Sequence, residues 1–431
     1  MPIRPALFAC LLAALSITCT SVDAAQSRTT RQAGKRTASH AASTAAKAPA
    51  KSKAAAKAKA PAKPPVQLSA APSVVPGVPA PPPVDARGFL VIDAGSGQTL
   101  AELNPDARME PASITKLMTA YLTFQALRDG KLKLTDEVTI SEHAWKAEGS
   151  RTFLQVGTTA SVDVLLKGMI VQSGNDATIA LAERIGGTEP GFVAMMNTEA
   201  TKLGLKGTHY ENADGLPSPT HYSTARDIAT LARAIIRDFP DRYALYSVKE
   251  FTWNNIKQPN RNGLLWRDPS VDGMKTGHTD SAGYCLVTSA KRENTRLISV
   301  VLGSSGEHTR EDASAALLNY GYTYFETASV KKAGEMVLKP RVYKSAGGYA
   351  AVGPATDVQI TVPRGQAGGI TTAATTQPKL IAPLATTTQV GELVVTLAGK
   401  DVAHVPLYPQ AAVAEGGLWT RLVDTIALWF K

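Results

Sequence analysis

After an apolar stretch at the extreme N terminus, ordered patterning sets in at Gly88. The apolar run Gly88–Asp93, the turn Ala94-Gly-Ser-Gly97 and residues 98–103 predict a β-hairpin. From 113 to 127 apolar residues recur at helical spacing, and Gly130 stands just past the end. Residues 162–171 read as a buried helix, and further helices are expected at 176–184, 191–203, 225–237 and 312–325. Residues 284–291 and 297–303 pattern as paired antiparallel strands. Strands at both ends with helices between them predict one α+β domain over 85–328, an antiparallel sheet with helices packed on it.

Beyond 328 the pattern changes. Val337-Leu338, 358–362 and 393–397 are short β-prone runs between Gly- and Pro-containing turns, which predicts a small all-β domain over 329–412. A C-terminal amphipathic helix follows in 413–431. It places Leu418, Trp419, Leu422, Val423, Ile426, Trp429 and Phe430 on one face, with Arg421, Asp424 and Thr425 opposite. It is too short and too charged to span an apolar layer of about 30 Å. It is either a terminal helix docked on the protein or an in-plane membrane anchor. Two tryptophans and a terminal lysine suit the anchor.

Composition modifies this picture mainly at the N terminus. Arg4, the apolar core 6–17 and Val22-Asp-Ala24 read as a secretory signal over 1–24. Residues 25–84 are rich in Ala, Lys and Pro and read as a disordered basic linker. It is either a plain spacer or an arm touching acidic lipid or wall polymer. Residues 26–84 hold ten Lys/Arg and no Asp or Glu, which accounts for the whole net charge of +10. The folded part is therefore near neutral, and no nucleic-acid partner is expected. Of the three cysteines, Cys10, Cys19 and Cys285, only the last survives cleavage after Ala24, so no internal disulfide is expected. The histidines show no metal spacing; no metal site and no cofactor are expected.

Candidate chemistry comes from three short motifs in order: Ser113-Ile-Thr-Lys116, Ser173-Gly-Asn175 and Lys275-Thr-Gly277. Each alone is weak; Ser329-Val-Lys-Lys332 also has the spacing of the first. A serine hydroxyl needs a base, and a residue three positions on along a helix lies on the same face. Lys116 can serve Ser113 if it is neutral, which requires burial and nearby positive charge; Lys275 could supply that charge. Otherwise Lys116 is a solvated helix lysine. Gly174 permits a sharp turn between Ser173, a proton relay, and Asn175, an amide that orients substrate. Lys275 and Thr276 suit a carboxylate, and Gly277 lets a substrate backbone approach.

This trio in this order marks class A β-lactamases and penicillin-binding proteins. With Gln172-Ser-Gly-Asn-Asp-Ala177, Tyr222-Ser-Thr-Ala-Arg-Asp227, Arg261-Asn-Gly-Leu-Leu-Trp266 and Asp272-Gly-Met-Lys-Thr-Gly-His-Thr-Asp280, the chain resembles the type-5 penicillin-binding proteins, serine D-alanyl-D-alanine carboxypeptidases. The resemblance covers 85–431. It implies a β-lactamase/transpeptidase-like fold and removal of the terminal D-alanine from peptidoglycan stem pentapeptides, with inhibition by β-lactams. By resemblance, Ser113 is the nucleophile, Lys116 its base and Ser173 the proton shuttle. Asn175 binds the substrate amide; Lys275, Thr276 and Arg310 hold its carboxylate; the N–H groups of Ser113 and His278 form the oxyanion hole. Arg261 is a weaker candidate at the cleft edge. The expected location is the periplasm, with peripheral attachment to inner-membrane lipid through the C-terminal helix. Two other readings stay open. One is a β-lactamase of the same fold, for which Glu189 is the only available water-activating carboxylate, although Glu189-Pro190 also reads as the first turn of a helix. The other is a non-catalytic wall-binding protein.

Overall fold

The computed structural model describes residues 77–429; the expected signal peptide and most of the expected linker lie outside the described residues. Its centre is a five-stranded antiparallel sheet. Thr99–Leu103 lies at one edge, followed by Gly88–Asp93, Thr295–Ser304, Gly283–Arg292 and, at the other edge, Val271–Thr279. Successive side chains of a strand face opposite ways, so a strand covered on both sides must be apolar throughout. That is the reason for the unbroken runs. Phe89 and Val91 join Leu286, Leu297 and Val301 in one core, with Leu317 and Leu318 of the helix Glu307–Tyr324. Leu90 and Ile92 join Val287, Ile298 and Val300 in the other, with Ile228, Leu231 and Ile235 of the helix Ala225–Asp238.

The expected hairpin and strand pair are present, and the helices expected at 176–184, 191–203 and 225–237 form as Asn175–Gly186, Glu189–Lys202 and Ala225–Asp238. Capping explains two of the starts: the Thr188 hydroxyl accepts from the Gly191 N–H, and the Thr224 hydroxyl from the Asp227 N–H. The helix expected from 312 begins at Glu307, which brings Arg310 into its first turn. Residues 162–171 do not form one regular helix: Val162–Lys167 is α-helical and Gly168–Gln172 is a π turn. The strand Val271–Thr279 was not foreseen, because its glycines and polar residues carry no apolar pattern.

Residues 325–415 form the β-rich part. A four-stranded sheet runs in the order Val352–Pro354, Lys400–Pro409, Gly391–Leu397, Ile370–Thr376, and the strand Phe325–Lys331 pairs with Val358–Pro363. Phe325–Lys331 leaves the helix Glu307–Tyr324 without a loop and straddles the expected boundary at 328. Part of the expected linker is also packed: Val78 is buried against the sheet core, and the Tyr320 hydroxyl donates to the Pro79 carbonyl at 2.8 Å. The C-terminal helix is Leu418–Trp429. It meets the β domain with its polar side, Asp424 accepting from Arg341 (2.9 Å) and from the Lys344 N–H (2.5 Å). No helix among the described residues is long and apolar enough to cross a membrane.

Candidate active site

Ser113 sits where a short 3₁₀ turn, Ala112–Thr115, passes into the buried α-helix Lys116–Arg128. The expected helix therefore starts with a tighter turn at Ser113. The edge strand Val271–Thr279 packs across this turn. A Cβ at Gly277 would lie 3.0 Å from the Pro111 carbonyl oxygen and 3.2 Å from Ala112 and Ile114. Gly277 thus allows the strand to approach the Ser113 turn; the space it leaves is filled by protein rather than by substrate.

Lys116 lies beneath the cleft floor, fully buried. Its Nζ is 2.9 Å from Ser113 Oγ, 2.7 Å from Asn175 Oδ1 and 2.7 Å from the Asp214 carbonyl oxygen. Burial lowers its pKa to about 8; Arg261 pushes the same way, and Asp214 and Asp176 oppose. A neutral amine has two hydrogens and one lone pair. Two of the three partners are carbonyl oxygens, which only accept. When Lys116 is neutral they take both hydrogens and leave the lone pair for the Ser113 hydroxyl. The solvated-lysine alternative is excluded by this burial.

Ser173 ends the π turn in the left-handed region, at φ 66° and ψ 28°. The sharp turn expected at Gly174 is therefore made by the serine. Gly174 is needed for space, because a Cβ there would lie 2.8 Å from Asp176 Oδ1 and 2.9 Å from the Thr152 nitrogen. Asn175 is held at both ends: its N–H donates to the Ser150 carbonyl (2.7 Å) and its Nδ2 to the Glu148 carbonyl (2.6 Å). Its oxygen is thereby aimed at Lys116.

Lys275 is also buried, with Nζ 2.8 Å from Ser173 Oγ and 2.9 Å from the Thr276 carbonyl. Burial holds it well below the ordinary lysine range, and Lys116, Arg261 and Arg310 add to the effect. The charge acting on Lys116 is thus Arg261, where Lys275 was expected. Ser113, Ser150, Ser173, Thr276, Gly277 and His278 line a cleft of about 470 Å³, bordered at one end by Arg261, Tyr284, Glu307 and Arg310. Lys116, Asn175 and Lys275 form the layer below it.

Arg310 is 3% exposed, and its guanidinium pairs with Glu307 at 2.9 Å and lies 5.5 Å from the Tyr284 ring centre. Tyr284 in turn stacks on His278 at 4.0 Å. Arg310 Nε has no protein partner among the described residues, which suits an anion at this end of the cleft. One contributor carried no sequence signal. Asp214 offers a backbone carbonyl, which every residue has. Glu189 starts its helix, as one reading held, and also accepts from the Ala213 N–H (3.0 Å) and lies 2.7 Å from His143 Nε2. It braces the loop carrying the Asp214 carbonyl and does not line the cleft.

Similarity to known proteins covers both folded parts. Residues 76–306 match the peptidase family S11, described as D-alanyl-D-alanine carboxypeptidase, and residues 325–415 match the C-terminal domain of penicillin-binding protein 5. The chain is 43% identical to the D-alanyl-D-alanine carboxypeptidase DacC of Escherichia coli K12, over 81% of this chain and 89% of that one. The crystal structure of penicillin-binding protein 5 from Haemophilus influenzae superposes with a TM-score of 0.72 at 45% identity, covering 78% of this chain and 99% of that one. Penicillin-binding protein D2 from Listeria monocytogenes, in its ampicillin-bound form, has a TM-score of 0.52 at 30% identity, covering 56% of this chain and 98% of that one. The chain belongs to the D-alanyl-D-alanine carboxypeptidase family of penicillin-binding proteins, with a C-terminal domain of the penicillin-binding-protein-5 type.

Proposed function

We infer that this protein is a serine-type D-Ala-D-Ala carboxypeptidase that trims the terminal D-alanine from peptidoglycan stem pentapeptides. The observation that carries the reading is the buried Lys116 amine, with two carbonyl acceptors and Ser113 Oγ as its partners. Lys116 takes the Ser113 proton as Oγ attacks the penultimate D-alanine carbonyl. The N–H groups of Ser113 and His278 receive the developing oxyanion. Ser173, bonded to Lys275, passes a proton to the leaving amine, and Asn175 orients the substrate amide. Thr276 and Arg310 hold the carboxylate, with the Lys275 amine behind them. D-alanine leaves, and water cleaves the ester. A β-lactam acylates the same serine, but its leaving amine stays tethered, which slows the water step.

The β-lactamase alternative loses its carboxylate, since both Glu189 oxygens are engaged away from the cleft. The intact site likewise disfavours a non-catalytic wall binder.

In this reading the chain is exported by residues 1–24 to the periplasm. A basic spacer, the catalytic domain (85–328), the β domain (329–412) and a helix resting on the inner membrane (413–431) follow. The exposed apolar face of Leu418–Trp429 supports the attachment. The deciding experiment uses wild type and Ser113→Ala. Wild type should gain the mass of one penicillin on the peptide containing Ser113 and release D-alanine from a D-Ala-D-Ala peptide. The variant should do neither; an adduct formed by Ser113→Ala at the wild-type rate rejects the assignment.

A further inference from the structure

The catalytic cleft does not end at Arg261 and Glu307. Both residues also border a second cavity of about 610 Å³, lined further by Gln172, Trp266, Arg267 and Glu311. Gln172 adjoins Ser173, and Glu307 is paired with Arg310. The second cavity therefore opens beside the two groups that the preceding reading assigns to the leaving residue, one serving its amine and one its carboxylate. The methyl group of D-alanine is far too small to fill such a space.

The lining is built rather than incidental. Trp266 is 50% exposed, yet it stands on a fixed platform. It lies in the short helical turn Leu264–Arg267, whose preceding Gly263 N–H donates to the buried Glu311 at 3.0 Å. Arg267 pairs with Glu311 at 3.2 Å and Asp312 at 2.6 Å, so the turn is held from both ends. Lys249 Nζ lies 5.9 Å from the Trp266 ring centre. The Arg261 guanidinium, at the junction of the two spaces, has no hydrogen-bond partner among the described residues. The cavity thus offers an apolar ring for methylene groups and charged groups of both signs for a polar tip.

We propose that this cavity is a subsite for the side chain of the leaving residue, so that the enzyme releases D-residues with long, methylene-rich, polar-tipped side chains as well as D-alanine. The proposal rests on the carboxypeptidase reading above. The chemistry is unchanged. The Ser113 ester forms as the amide C–N bond breaks, the departing amine takes its proton through Ser173, and one water then cleaves the ester to give the shortened acid and free Ser113. Only the substituent on the departing D-centre differs.

The test compares kcat/KM of the full-length protein on otherwise identical peptides ending in D-Ala-D-Ala, D-Ala-D-norleucine and D-Ala-D-lysine. Wild type should hydrolyse the two long-chain substrates within about tenfold of D-alanine. A pocket discriminates by roughly ten- to two-hundred-fold per methylene, so Trp266→Ala should lower the D-lysine to D-alanine ratio by about tenfold or more, through KM. Trp266→Phe, which keeps a ring, should restore most of that ratio. The proposal is overturned if wild type disfavours both long-chain substrates by about a hundredfold. It is also overturned if Trp266→Ala leaves the ratio unchanged, or if Trp266→Phe behaves like Trp266→Ala. No hydrolysis of D-Ala-D-Ala itself would instead reject the carboxypeptidase reading, and this proposal with it.

Discussion

Lys116 has a cost as well as a use. Its pKa in the fold, about 8, is below the ordinary 10.5, so the folded protein binds that proton less tightly than the unfolded chain does. Between about pH 8 and 10.5 the unfolded chain holds a proton that the folded protein lacks, so this group makes stability rise with pH there. Below about pH 8 both states are protonated and the full burial cost is present. Lys116→Met removes the buried charge. In urea unfolding its gain over wild type should be largest below pH 8 and should shrink by pH 10; a pH-independent difference would contradict a depressed lysine. Activity should follow the same group, with penicillin acylation by wild type rising through about pH 8. Lys116→Arg stays charged and should lose roughly 10²- to 10⁴-fold in acylation rate. The side chains proposed to react were legible in the sequence because the chemistry allows few substitutes at Ser113, Lys116 and Ser173. The parts that were not legible act through backbone or through missing atoms: the Asp214 carbonyl, and the absent Cβ atoms of Gly174 and Gly277.

At the level of elements, the site depends on irregular pieces that periodicity does not reveal. The apolar run 162–171 pointed to a buried segment, and the segment is buried. Its last turn is wound as a π turn, which delivers Ser173 to the cleft in a left-handed conformation. The Lys275 strand was missed for the opposite reason: its buried positions include glycine, lysine and threonine because it forms the cleft wall. Asp176 ties these pieces together, accepting from the N–H groups of Thr152 (2.8 Å), Leu154 (3.1 Å) and Ala177 (2.8 Å). Gly174→Ala should push against Asp176 and Thr152 and disturb this carboxylate. We expect a loss of about 1–3 kcal/mol in urea unfolding, together with slower acylation, since Asn175 shares the same turn. Wild-type stability and acylation in this variant would show that the turn relaxes without strain.

Across the whole molecule, the two folded parts are joined by specific bonds as well as by a shared helix end. Asp93 of the catalytic sheet accepts from the Thr327 hydroxyl at 2.6 Å, and Arg364 donates to the carbonyls of Tyr322, Thr323 and Phe325 where the helix Glu307–Tyr324 ends. At the far end, the C-terminal helix reverses the usual rule for a docked helix. Its one buried residue is Asp424, held by Arg341 and Lys344, while Leu418, Trp419, Leu422, Val423, Ile426 and Trp429 are each about half exposed or more. An apolar face left open in this way suits a lipid surface, where each large side chain fully buried contributes about 1.5–3 kcal/mol. On the proposed attachment, protein truncated after Glu415 should stay in solution with vesicles of bacterial phospholipid, yet release D-alanine from a small peptide at the full-length rate. Trp419→Ser with Trp429→Ser should weaken vesicle binding without loss of activity. Added salt should weaken it less than either change, because the segment carries only two cationic side chains, Arg421 and Lys431, and its single acid is engaged by the β domain. Undiminished vesicle binding by the truncated protein would reject the helix as the anchor and shift the assignment to the basic residues between Arg28 and Lys63, whose binding should then collapse with salt.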